Sequence, residues 1–139
     1  MTEDRIHKGP VIESPHRPIF THVVPGKDPY EVEPIGIQVL DEPGPGGASH
    51  HYVVKNLMGG AALLDIQFQK GPIQEVGHNG VQQEHLLAIV ADRLESFQAG
   101  PFSNAYNAEA LEYTKAALAA LKRRTEDRIA RGVEGLNKA

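Results

Sequence analysis

Phe68-Gln69-Lys70-Gly71-Pro72, then Val76-Gly77-His78-Asn79-Gly80, lead into Leu86-Leu87-Ala88-Ile89-Val90 and Phe97-Gln98-Ala99-Gly100-Pro101-Phe102. In one passage the chain writes the end of a strand, a glycine loop and a helix. Leu86, Leu87, Ile89, Val90, Leu94 and Phe97 recur at three- and four-residue spacing, which predicts a helix with a buried stripe. Asn79 is the expected N-cap, with Gly80 permissive at the entry, and Gly100-Pro101 ends the helix. A second helix is expected from near Asn104 to Arg131, where Gly132 stops it. Its seam is Leu111, Thr114, Leu118, Leu121 and Thr125, close to heptad spacing, with alanines thinning the flanks. The short link between the two predicts an antiparallel pair. The second helix is too long for the first to cover, and an alanine-rich helix with surplus apolar surface predicts a homo-oligomer.

Upstream, Ile35, Ile37 and Val39 alternate with Gly36, Gln38 and Leu40, the period of a strand. Asp41 to Gly47 reads as a loop, Ser49 to Val54 as a second strand and Leu63 to Gln69 as a third, with Leu64, Ile66 and Phe68 on one face. Three strands in meander order predict a small antiparallel sheet. Before them, Pro10, Pro15, Pro18, Pro25 and Pro29 punctuate an arm. Each removes an amide donor and biases its predecessor toward extended geometry. The expected class is therefore α+β: an N-terminal arm over 1–33, a small sheet over 34–70 and an antiparallel helical hairpin over 71–139. The arm reads either as a largely disordered segment or as a strap on a neighbouring subunit.

Composition narrows the function. At 139 residues the chain suits one domain with an extension, able to bury roughly two-thirds of its unfolded surface. No Trp, four Phe and four Tyr leave small and branched residues to fill the core. The absence of Cys excludes disulfides and thiolate chemistry. A formal charge of -4 argues against broad binding of nucleic-acid polymers. No apolar stretch approaches the roughly 20 residues of a membrane span, and no hydrophobic signal core follows Met1 to Arg5, so a soluble intracellular protein is expected.

Chemistry-bearing patterns are few. His50 and His51 are neighbours on a strand and point to opposite faces, and His78 and His85 miss the four-residue spacing of a helical zinc pair. No metal site and no cofactor are expected. Glu84, Asp92 and Glu95 fall on a polar helix side, Glu126-Asp127 sit among arginines, and no nucleophile elbow or Walker loop is present. The chain is accordingly read as a non-enzyme. The cluster Lys122-Arg123-Arg124, Arg128 and Arg131 has two readings: cations complementing a helix C-terminus, or a phosphate clamp. A nucleotide site also needs an aromatic plate, and Phe97, Phe102, Tyr106 and Tyr113 gather at the other end of the expected hairpin. A single chain keeps plate and clamp apart, so a site built from both would be shared between subunits.

From about Leu64 to Gly135 the chain resembles the phage Thoeris anti-defence sponge family, which shares a helical-hairpin domain with anti-CBASS sponges. The stretches that carry the resemblance are Phe68-Gln69-Lys70-Gly71-Pro72-Ile73, Gly77-His78-Asn79-Gly80, Leu86 to Leu94, Phe97 to Phe102, Asn107-Ala108-Glu109-Ala110-Leu111, Arg124-Thr125-Glu126-Asp127-Arg128 and Arg131 to Gly135. Leu40 to Gly44 and Ala48 to Tyr52 look like the sheet portion of the Thoeris branch. The chain departs from the usual pattern at His78, at Gln82-Gln83 and over Ser103 to Tyr106. The resemblance implies a protein that sequesters glycocyclic ADP-ribose, the messenger of TIR-domain proteins, without cleaving it. It also implies related cyclic di- or trinucleotides as further ligands, dimer-to-hexamer assemblies, and action in the cytoplasm of an infected bacterial host. By position, it implies Phe97 for base stacking, Asn107 for a polar contact and Arg124 for phosphates, with Asn79 and Arg128 as further ligand contacts. Two other classes stand beside it: an oligomeric interaction protein whose arm recruits a partner, and a phosphodiesterase, which the lack of a metal cluster or base–nucleophile pair disfavours.

Overall fold

A loop anchored on one carboxylate organises the first half of the chain. Asp41 accepts hydrogen bonds from the backbone N–H of His50 and of His51, each at 3.0 Å, and its carbonyl accepts from Ser49 Oγ at 3.0 Å. This closes the loop from Asp41 to His50 and aligns the strands on either side. The computed structural model describes residues 17–21, 25–28, 34–136 and 138. It divides into two units, one ending at Lys70 and the other starting at Gly71.

In the first unit, β1 (Arg17–Ile19), β2 (Ile35–Val39), β3 (His51–Asn56) and β4 (Ala62–Gln67) form an antiparallel sheet in sequential order. The expected three strands are thus four among the described residues. The extra one, β1, arises within the arm, where Ile19 pairs with Ile37 and Arg17 with Val39. Pro18 is tolerated because β1 is an edge strand, where a missing N–H faces no neighbour. The rest of the 1–33 arm, apart from 20, 21 and 25–28, lies outside the described residues, and with it the choice between a disordered segment and a strap. Val39, Val53 and Leu57 form the apolar core of this unit. Tyr52 and Phe68 meet edge to face, with ring centroids 5.6 Å apart. Gly36 is required by close approach: a Cβ there would stand 2.6 Å from Leu57 Cδ1.

The register places Gly36 opposite Lys55 and Gln38 opposite Val53, so the four share one sheet face. Lys55 is 3% exposed, and its Nζ has no hydrogen-bond partner among the described residues. Burying an unpaired ammonium is costly. Lys55→Met keeps the stem and removes that group, so it is expected to raise stability by about 1–3 kcal/mol. Urea midpoints read this directly, and a lower midpoint in the variant would mean that an anion pairs with Lys55.

In the second unit a one-turn helix, α1 (Ile73–Val76), interrupts the glycine loop and is followed by α2 (Gln83–Gln98) and α3 (Ala105–Ala130). Asn79 is not the cap of α2. Gln82 holds that position, and His85 Nδ1 accepts from the Gln82 N–H at 2.9 Å in a capping box. The helix begins where a side chain three residues on can reach back, which Gln82 and His85 achieve and Asn79 is too early to do. Asn104 does cap α3, accepting from the Asn107 N–H at 2.8 Å, and Gly132 ends it at φ 72°. Leu111, Thr114, Leu118, Leu121 and Thr125 are all half-buried, so the α3 seam packs as its spacing predicts. The α2 stripe packs in part: Leu86, Leu87 and Leu94 are half-buried like the α3 seam. Ala91 is the buried apolar residue of α2, while Ile89, Val90 and Phe97 are exposed. Its apolar arc is wider than the single partner helix can cover. No helix among the described residues is long and apolar enough to cross a membrane.

Candidate functional site

The helical unit places its aromatic and basic side chains in two groups. The first surrounds the turn between α2 and α3. Gln98 Oε1 accepts from the Asn104 N–H, and Asn104 Nδ2 donates to the Phe102 carbonyl, each at 3.0 Å. These bonds brace the turn with Phe97 on its α2 side and Asn107 on its α3 side. Phe97 is 38% exposed, and the Arg93 guanidinium lies over its ring with Cζ 5.3 Å from the centroid. Phe102, Tyr106 and Tyr113 are still more exposed. The four-residue spacing of Arg93 and Phe97 on a helix is the sequence signal for this contact.

The second group lies toward the far end of α3. Arg124 is exposed, 17 positions beyond Asn107 on the same helix, or about 26 Å along its axis. Glu95 pairs with Lys115 at 3.1 Å, whereas Gln82 and Glu84 line a shallow groove of about 470 Å³ with Leu118, Ala119, Lys122 and Thr125. The start of α2 thus stands beside the Arg124 end of α3, and Asn79 is exposed in the loop just before it. Phe97 and Asn107 stand on the two sides of the same braced turn, whereas Arg124 lies about 26 Å from Asn107 along α3. Lys122, Arg123 and Arg124 make no ion pair among the described residues.

Arg128 has different surroundings from Arg124. It is 7% exposed, and its guanidinium donates to the carbonyls of Val133 (2.9 Å), Leu136 (3.0 Å) and Lys138, and to Glu134 Oε1 (3.3 Å). Gly132 turns the chain back over it. The same returning segment accepts from α1: Gln74 N–H donates to the Gly135 carbonyl and Gln74 Nε2 to that of Glu134. Arg128 therefore binds its own C-terminal turn. Arg131 is held by Asp127 at 2.9 Å.

In the sheet unit, His51 Nε2 meets Asp65 Oδ1 at 2.8 Å across β3 and β4. The described residues hold no group of three or more His, Cys, Asp or Glu side chains suited to a metal ion. Burial pushes the Asp41 carboxyl up, but the backbone N–H groups of His51 and His50, aided by the His50 and Lys70 charges, hold it below its ordinary 3.8. A depressed folded value stabilises the fold above pH 3.8 and is lost as pH falls through that lower value. Asp41→Asn is therefore expected to reduce stability at neutral pH and to flatten its decline below about pH 4. Thermal melts across that range check both.

Two comparisons with known proteins find matches to this chain. Residues 61–126 fit the family model described as the Acb2/Tad1 hairpin domain. Over 109 residues the chain is 40% identical to a protein of Bacillus phage SBSphiJ7 named Thoeris anti-defense 1, covering 76% of this chain and 75% of that one. The matched region contains the sheet's last strand, α2 and most of α3, including Phe97, Asn107 and Arg124. A match of that identity along three-quarters of both chains is a family relationship, and this chain belongs to the Thoeris anti-defense 1 family.

Proposed function

We propose that the protein sequesters a cyclic nucleotide messenger of bacterial antiphage defence, foremost glycocyclic ADP-ribose, and holds it without cleavage inside the infected cell. The observation that carries this reading is the division of the two groups within one chain: exposed aromatics and Asn107 around the α2–α3 turn, and about 26 Å further along α3 an exposed Arg124 with no ion pair among the described residues. Two copies of an antiparallel α2–α3 hairpin, packed head to tail, bring the plate of one beside the cation of the other. The exposed Ile89 and Val90 supply apolar surface for such packing, up to the hexamers expected of the family.

Each component suits a dinucleotide-like anion. The base stacks on Phe97, a contact worth about 1–3 kcal/mol. Arg124 meets the phosphates through charge-assisted hydrogen bonds, and Asn107 offers both a donor and an acceptor for selectivity. Together, in a pocket closed by a second subunit, such terms reach nanomolar binding, about -12 kcal/mol. Asn79, in the loop at the Arg124 end, is read as a further contact. Arg128 is read as a support that holds the C-terminal turn.

The test is capture and release. Purified protein is incubated with glycocyclic ADP-ribose, and separately with cyclic di- and trinucleotides; the filtrate is analysed, and the retained protein is then heat-denatured. Ligand that disappears and returns intact supports sequestration and identifies the cargo. Ligand returned as fragments would show hydrolysis, and ligand that stays in the filtrate throughout would leave an oligomeric interaction protein as the better reading.

A further inference from the structure

We infer that Arg93 is a positioning residue for the ligand site: its guanidinium backs one face of the Phe97 ring, leaving the opposite face as the stacking surface. The inference rests on the nucleotide-binding reading of Phe97. The two residues stand one helical turn apart in the last turns of α2, the spacing that places side chains on the same helix face. Arg93 Cζ lies 5.3 Å from the ring centroid, within the range of a cation–π contact. Its acidic neighbours do not compete for it. Asp92 and Glu95 are one and two positions away, spacings that do not face each other on a helix, and Glu95 is engaged by Lys115. Among the described residues Arg93 makes no ion pair.

A ring has two faces, and a ring that is 38% exposed and turns freely presents neither of them reliably. With the guanidinium on one face, the ring's rotamer is restricted before ligand arrives, and the ordering cost of stacking falls. The base then completes a three-layer stack of guanidinium, phenyl ring and nucleobase. Arg93 acts through Phe97, so its effect belongs to the plate and disappears with it.

The experiment is a double-mutant cycle on the full chain, titrating glycocyclic ADP-ribose by calorimetry into wild type, Arg93→Ala, Arg93→Lys, Phe97→Leu and the Arg93→Ala/Phe97→Leu double variant. Arg93→Ala is expected to weaken binding about fivefold, the scale of an exposed cation–π contact, with Arg93→Lys recovering part of it. In the Phe97→Leu background the same change is expected to have no effect. The Phe97 ring signals in aromatic NMR of the ligand-free protein are expected to shift on Arg93→Ala. Unchanged affinity of Arg93→Ala would overturn the inference while leaving the functional reading intact. A loss that persists fully in the Phe97→Leu background would also overturn it, because Arg93 would then touch the ligand directly. A wild-type chain that binds no ligand would overturn the functional reading, and this inference with it.

Discussion

Arg128→Ala is expected to destabilise the helical unit strongly while leaving an exposed surface almost unchanged. The guanidinium satisfies the carbonyls of Val133, Leu136 and Lys138 and faces Glu134, all from a 7% exposed position. Truncation strands several acceptors at once and leaves the Glu134 carboxylate without its cation. Removing one member of a buried charged pair costs about 3–5 kcal/mol, and the partial exposure of Glu134 places the expected loss near the lower end, about 3 kcal/mol. For a unit of this size that lowers the melting midpoint by more than about 10 °C. Arg128→Lys should recover only a fraction, because an ammonium lacks the planar fork that reaches four acceptors in different directions. Circular dichroism melts decide the matter. A variant that melts like wild type but binds ligand poorly would make Arg128 a ligand contact and not a support.

Arg124→Ala should behave in the opposite way. Its side chain is exposed and has no ion-pair partner among the described residues, so stability is expected to stay within about 0.5 kcal/mol of wild type. Affinity for glycocyclic ADP-ribose is expected to fall about 10- to 100-fold, the scale of charge-assisted hydrogen bonds worth about 1.5–3 kcal/mol. The salt dependence of binding should weaken along with it, because a cation facing phosphate has been removed. Isothermal titration at two ionic strengths reads both quantities. Wild-type affinity in the variant would take Arg124 out of the site. Set beside Arg128→Ala, this separates two arginines one helical turn apart that local sequence alone does not distinguish.

The legible parts of the fold are those governed by near neighbours. Period-two alternation marks β2 and β4, and the half-buried seam from Leu111 to Thr125 follows the spacing of a helix that packs on one side. Asn104 and Gly132 delimit α3 because a short polar side chain and a left-handed glycine act on the next turn of backbone. The misplaced cap at Asn79 shows the limit of such reading. Several polar residues precede α2, and the choice fell on the Gln82–His85 pair, whose reciprocal reach is less conspicuous than a lone Asn. β1 was hidden by the prolines around it, since only pairing with β2 makes Arg17–Ile19 a strand. Of the candidate site, residue type and spacing offer Phe97 among the aromatics and Arg124 within the basic cluster, and the resemblance singles them out and adds Asn107, whereas the place of Arg93 depends on the rotamer that puts its guanidinium on the ring.

Residue type and spacing along the chain are enough for the α+β order of elements, the ends of α3, the lack of cysteine chemistry and the separation of the aromatic group from the basic cluster. The tertiary fold is what turns Arg128 inward onto the returning C-terminal segment, buries Lys55 without a hydrogen-bond partner among the described residues, and leaves much of the α2 apolar face exposed. Those outcomes depend on where distant segments end up in space: a charge is structural or available according to which carbonyls the fold brings to it, and a stripe is core or surface according to how many elements arrive to cover it.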